Sequence, residues 1–466
     1  MPKVTAADIA ARLDRLPTTR TIWTLVVLIS LGGVFEFYDL FFTGYVAPAM
    51  VKDGLFAPQS LGIFGALHGI AVSGFGTFVF ATFAGLWLGV VVFSRAVDRF
   101  GRKPIFAASL LWYVACTAIM AFQNTGEAIN IWRFVGSFGI GVQLVTIDTY
   151  ISELMPPGAR GRAFSINQFI TFCAVPIVAL LAWLLVPLRP IGLDGWRWVV
   201  LIGSVGALVI WGLIIRLPES PRWLAMAGRL DEADRVTSMI ERRVAADFGR
   251  PLPQPKPVVE EAHRRGSFSE LFNAMYLKRT IVLSVFNAAQ VIGFYGFAAW
   301  VPSLLIARGI TLTHSLEYSF IIAIANPIGP LLGATFADRL ERRTVIVLGL
   351  IIMGIVMTLF AMASDPALLI LLGVLFTLAS NIMSFAYHGY QAELYPTRIR
   401  AQAVGFVYSW SRIAAAFAGL IIGFLLHRYG VPGVAMFIGA AMVVGVIAIG
   451  VFGPATKGRS LEQINH

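Results

Sequence analysis

Apolar stretches about as long as a bilayer core is thick recur along the whole chain, with polar residues confined to the gaps between them. A helix needs roughly 20 apolar residues to cross a core ~30 Å thick. Runs of that kind can be placed near 22–47, 64–93, 104–123, 128–151, 163–187, 197–215, 280–305, 316–337, 344–363, 367–390, 402–426 and 432–452. They are numbered spans 1 to 12 in chain order, six on each side of a polar stretch at 216–279. Backbone groups in lipid find no water and must be satisfied within the segment, and runs this long and uniformly apolar suit helices rather than barrel strands. The pattern predicts an all-α membrane protein of twelve transmembrane helices. The expected division is an N-terminal six-helix bundle in 1–215, a linker in 216–279, and a C-terminal bundle with a tail in 280–466. In the linker, the prolines between Pro251 and Pro257 predict extended chain, and 230–244 reads as a short amphipathic helix.

The polar gaps contain a repeat. Asp98-Arg99-Phe100-Gly101-Arg102-Lys103 returns as Asp338-Arg339-Leu340-Glu341-Arg342-Arg343, and the Glu153, Pro156, Arg160 spacing returns as Glu393, Pro396, Arg400. Every offset is 240 residues (338 − 98 = 393 − 153 = 400 − 160 = 240). A duplicated chain predicts two pseudo-symmetric bundles, the architecture of alternating access.

Composition and charge sharpen the picture. The chain is 58% hydrophobic and 13% charged, against about 25% charged in soluble domains. Placing the N-terminus inside puts 29 of the 36 Lys and Arg residues on one side and five (Lys52, Arg189, Arg197, Arg308, Arg428) on the other. This asymmetry predicts both termini on the cytoplasmic side of a bacterial-type plasma (inner) membrane, and the net charge of +11 then needs no nucleic acid, only anionic lipid. The first 20 residues lack the apolar core of a cleaved signal peptide. Cys116 and Cys173 fall inside spans and read as small core residues. With no Walker loop, metal-ligand spacing or nucleophile elbow, neither an enzyme nor a cofactor is expected, and transport energy has to come from an ion gradient. No recurring filter-like segment supports a channel.

The motifs carry a resemblance. DRFGRK after span 2, ELMPPGAR after span 4, PESPRWL after span 6, ELYPTRIR after span 10 and GPATKGRSLEQI after span 12 resemble the signatures of the sugar porter branch of the major facilitator superfamily. Departures occur at Ser94, Ala334, Glu341 and Ala401, where the family prefers glycine, and at Ala455 in the terminal motif. The resemblance implies a monomeric transporter whose repeated charges (Asp98, Arg99, Arg102, Glu153, Arg160, Asp338, Arg339, Arg342, Glu393 and Arg400) form a cytoplasmic gate.

Charges within spans point to chemistry. Asp39, with Glu36 a turn earlier, lies deep in span 1, and Arg133 lies in span 4. A charge at the bilayer centre costs about 2.5–3.5 kcal/mol on insertion scales, so it is expected to face a cavity and a partner. Asp39 and Arg133 fall where the sugar porters carry their first-span Asp and fourth-span Arg, so the resemblance implies a proton-coupling pair with Glu36 beside it; a static pair is the alternative. Polar side chains in other spans (Gln143, Asn167, Gln168, Asn287, Gln290, Tyr295, Asn381, His388, Tyr408, Trp410 and Arg412) are expected either at a central cavity or in interhelical hydrogen bonds. Gln168 and Gln290 match sugar-contacting glutamines of the family. His388 stands where the family carries a stacking Trp, and Arg412 near another aromatic. Lost amides and a gained guanidinium favour an organic anion, such as a carboxylate, over a sugar or polyol, moved with a proton. A non-transporting receptor or scaffold is the alternative of another kind.

Overall fold

A computed structural model describes residues 4–64, 74–255, 267–336 and 340–455. Among the described residues the regular structure is helical throughout, and eleven helices are long and apolar enough to cross a membrane. The last of them, Thr397–Phe452, has 56 residues, about 84 Å at 1.5 Å per residue, far longer than one crossing. It breaks at Gly430 (φ 63°, ψ −160°), a backbone region essentially closed to side-chain-bearing residues, two positions before Pro432. Spans 11 and 12 lie on either side of this break, and twelve crossings result.

The other spans are Arg20–Lys52 (1), Gly74–Phe100 (2), Arg102–Ala121 (3), Gly126–Leu154 (4), Gly195–Ile214 (6), Ala274–Ala298 (7), Arg342–Met362 (9) and Pro366–Glu393 (10). Spans 5 and 8 are each made of two helices, Arg160–Phe172 with Ala174–Leu185 and Leu312–Ala323 with Ala325–Phe336. A proline cannot donate to residue i−4, and the breaks fall where that predicts, after Phe172 for Pro176 and after Ala323 for Pro327. The spans' outer surface is aliphatic and uncovered: Val205, Val209, Ile355 and Val451 are each more than half exposed. A girdle of this kind belongs in lipid.

The face bearing the repeated charged blocks is called the charged face here, and the opposite one the far face. An amphipathic helix, Ala6–Asp14, starts with a Thr5/Asp8 capping box and lies against the linker helix Leu230–Phe248. Arg12 reaches Asp234 at 2.5 Å and Glu241 at 2.6 Å, Arg15 reaches Glu241 at 2.6 Å, and Asp14 reaches Arg222 at 2.5 Å. Burial works against the Glu241 carboxylate, but the hydrogen bonds from Arg12 and Arg15 outweigh it and hold its pKa below the ordinary glutamate value.

The halves meet along spans 2 and 11, spans 5 and 8, and the far-face ends of spans 1 and 7. Aromatic rings cross this seam: Phe75 on Trp300 (4.6 Å between centroids), Phe83 on Tyr295 (4.7 Å), Phe80 on Phe417 (5.7 Å) and Trp183 on Phe320 (5.8 Å). Tyr295 and Phe294 also meet Phe41 of span 1.

Candidate functional site: a charged cavity between the halves

Glu36 and Asp39 are three residues apart on span 1, hence on one helix face, and both are buried. From span 4, Arg133 reaches Asp39 with Nη1 2.5 Å from Oδ2, while Nη2 donates to the Asp39 carbonyl and to Thr43 Oγ1, both at 2.9 Å. Its Nε donates to Thr82 Oγ1 of span 2 at 2.8 Å, and the guanidinium lies over the rings of Phe42 and Phe78. A planar fork with five donors suits a site where every N–H must be met away from water. Asp39 Oδ1 has no hydrogen-bond partner, although the Tyr113 hydroxyl of span 3 lies beside it. Arg133 thus grips the carboxylate by one oxygen, and only the Tyr113 hydroxyl stands by the other.

Arg412, on span 11, is 4% exposed. Its Nη2 donates to Tyr408 Oη at 2.9 Å and its Nη1 to Tyr295 Oη at 3.3 Å, and the guanidinium lies over the Tyr408 ring. These partners are neutral phenols, so the cation is oriented but not neutralised by them. Glu36 lies within the electrostatic reach of Arg412, Asp39 and Asp148, with Oε1 unpartnered. His388, on span 10, shares Arg412's surroundings and stacks on Tyr387. Its Nδ1 is 2.7 Å from the Ser384 carbonyl, which can only accept, so Nδ1 carries a proton.

His388 and Asp148 are both exposed although each lies inside a membrane-length helix, about a turn and a half from its charged-face end. Their neighbours are the buried Arg412 and Glu36, so the space that exposes them lies between the halves and opens toward the charged face. Asp148 escaped the sequence reading because it sits near the end of span 4, where a charge costs little. The signal that could have found it is the repeat: 388 − 148 = 240, so Asp148 is the counterpart of His388.

Other expected contacts divide. Gln143 is buried with both amide atoms unpartnered, and Asn167 and Thr171 of span 5 also present unpartnered oxygens. Gln290 is buried and Gln168 half-buried. Asn381 donates to Asn326 Oδ1 at 3.2 Å and the Thr377 carbonyl at 2.9 Å, an interhelical tie. Asn287 donates to the Leu283 carbonyl and, at 3.4 Å, to Gln391 Oε1.

The repeated charges pair within each half, in matching fashion. Arg102 Nη2 meets Glu153 Oε1 at 2.8 Å, and Arg342 Nη1 meets Glu393 Oε1 at 3.2 Å. Arg160 Nε donates to the Met155 carbonyl at 3.2 Å, and Arg400 Nε to the Tyr395 carbonyl at 3.1 Å. Gly101 has φ 106°, and an added Cβ there would lie 2.3 Å from Glu219 Oε2, whose carboxylate accepts from the first amides of span 3. Its counterpart Glu341 has φ −63°, which explains why the second copy dispenses with glycine. Arg99 is exposed, and Asp98 lies in the last turn of span 2. Asp338 and Arg339 lie outside the described residues.

Known proteins of the same length share this plan. A metabolite transport protein of Bacillus subtilis (strain 168), YyaJ, is 31% identical over 98% of this chain and 97% of its own. The niacin transporter NiaP of Acinetobacter baylyi is 28% identical over 98% of this chain and 99% of its own. The partially occluded inward-open structure of the xylose transporter XylE from E. coli matches with a TM-score of 0.74 at 19% identity, covering 94% of this chain and 99% of that one, which shows the major facilitator fold. The profile of the family described as "Sugar (and other) transporter" matches residues 25–466, and the chain belongs to that family of multi-pass membrane transporters.

Proposed function

We propose that this chain imports a small organic anion together with a proton, by alternating access, as a monomer in a bacterial inner membrane with its charged face in the cytoplasm. The observation that carries the reading is Arg412: a buried guanidinium at the central cavity, oriented by two phenols and left for an anion to neutralise. Niacin, the substrate named for one relative, is such an anion. The half-held Asp39 carboxylate beside Arg133 supports proton coupling, since movement of either helix changes which form of the acid is favoured. On this reading the aromatic seam is a closed extracellular side, and the duplicated Arg102–Glu153 and Arg342–Glu393 pairs order the cytoplasmic helix ends that close in the opposite state. The working units are the bundles 1–215 and 280–466, joined by 216–279.

Equilibrium binding of a matched carboxylate and polyol to the wild type and to Arg412→Gln tests it. Truncating one partner of a buried charge pair costs about 2–5 kcal/mol, so the carboxylate should lose at least tenfold in affinity and the polyol little. A sugar or polyol–proton symporter is the second reading, favoured by Gln168 and Gln290, which match sugar-contacting glutamines of the family. Tight polyol binding with no carboxylate binding would establish it instead.

A further inference from the structure

The cavity has two poles of opposite charge on opposite walls. Glu36 and Asp148 belong to the first half, Arg412 and His388 to the second. Asp148 and His388 occupy equivalent positions of the repeat, so the same site in the scaffold carries an acid on one wall and a base on the other. Glu36 and Arg412 feel each other's field yet form no contact within 4.0 Å, and Arg412 binds phenols instead. Had the two been a structural ion pair, a flexible carboxylate side chain and a guanidinium this close would be expected to join. Asp39 does not supply the missing charge balance, because Arg133 already engages it.

A simple carboxylate on Arg412 would leave Glu36 unpaired and would add a like charge near it and Asp148. A neutral sugar would leave both poles unmet. A ligand with an acid at one end and a protonated nitrogen at the other satisfies both. We infer that the transported ligand is an amphoteric organic acid, its carboxylate on Arg412 and its cationic nitrogen against Glu36 and Asp148. The inference rests on the organic-anion reading above and narrows it. The rings of Tyr387, Tyr408 and Tyr295 around His388 and Arg412 suit a flat, compact body.

The test is calorimetric binding at neutral pH of four probes: benzoate, benzylamine, para-(aminomethyl)benzoate and xylose. Wild type should bind the zwitterion at least about tenfold more tightly than benzoate or benzylamine. Glu36→Gln and Asp148→Asn should each bring the zwitterion-to-benzoate ratio down to about threefold or less. Asp148→Glu should keep the preference, and size-exclusion profiles matching the wild type establish that each variant is folded. Equal binding of benzoate and zwitterion by wild type, with both lost in Arg412→Gln, would overturn this inference and leave the organic-anion reading standing. Survival of the preference in both acid variants would also overturn it. Xylose binding with no carboxylate binding would overturn both readings together.

Discussion

Gly44 on span 1 is a lever on the closed far face. A Cβ built there lies 2.4 Å from the carbonyl oxygen of Ala299, at the end of span 7 in the other half. Ordinary contact begins at 3.4 Å, so the alanine methyl needs about 1.0 Å of retreat (3.4 − 2.4), and the atom it meets is backbone that no rotamer change can move. Overpacking of this size costs roughly 1–3 kcal/mol. If the halves separate as rigid bodies the cost falls on the far-closed state alone, and Gly44→Ala should shift the equilibrium toward the far-open state by about 5- to 150-fold. The assay is electron–electron distance measurement between spin labels at Lys52 and Ala307, with Cys116 and Cys173 replaced by serine. Gly439→Ala is the control, because a Cβ there meets nothing within 4 Å. The distance distribution should gain a longer component in Gly44→Ala and none in the control. An unchanged distribution, with wild-type thermal stability, would mean that the span 1–span 7 seam yields locally and does not gate.

Asp39→Asn should abolish gradient-driven accumulation while substrate exchange persists, measured in proteoliposomes; it should also lower thermal stability by about 3–5 kcal/mol at most, since Arg133 keeps its bonds to the Asp39 carbonyl, Thr43 and Thr82. Full pH-driven uptake by this variant would move the coupling role to Glu36. Glu153→Gln should lower the melting temperature more than Glu393→Gln, because Arg102 and Glu153 are 4% and 12% exposed while Arg342 and Glu393 are 30% and 27% exposed and screened by solvent; a reversed order would contradict the assignment. Glu241, held below its ordinary pKa, stabilises the docked N-terminal helix above the unfolded glutamate value of about 4.3, and that contribution is lost as pH falls through the folded pKa. A spin label at Ala6 should therefore become mobile on acidification and be mobile already at neutral pH in Glu241→Gln.

The fold was legible because lipid enforces it: a span must be apolar, about 20 residues long and internally bonded, and each condition leaves a mark in sequence. The Asp39–Arg133 pair was legible through the resemblance, with the cost of a charge deep in a span as the reason to expect each a partner. Asn381 shows where such reasoning stops. A polar side chain in a span predicts a partner but not which one, and here the partner is Asn326. Hydrogen-bonding neutral groups such as Thr43, Thr82 and Tyr113 gave no signal, because Thr and Tyr are common in spans and cost little there. The helix at Ala6–Asp14 was also missed, for it is short, with a stripe of only Ile9, Ala11 and Leu13, and its ion-pair partners Asp234 and Glu241 are distant in sequence.

The duplication separates mechanics from chemistry. At the charged face the 240-residue symmetry is kept pair for pair: Arg102 with Glu153 and Arg342 with Glu393, Arg160 with the Met155 carbonyl and Arg400 with the Tyr395 carbonyl. In the cavity it is broken at the charged positions, with Asp148 opposed to His388 and Phe172 standing where the second half has Arg412 (412 − 172 = 240). Both halves bring their helix ends together at the same face in the same state, so each needs its own ends held in order, and the repeat supplies the device twice. A ligand has no such symmetry, and a site that orients it needs different groups on its two walls. Breaking the repeat at those positions gives the cavity a direction while the pairs that order the charged-face helix ends are kept in both halves.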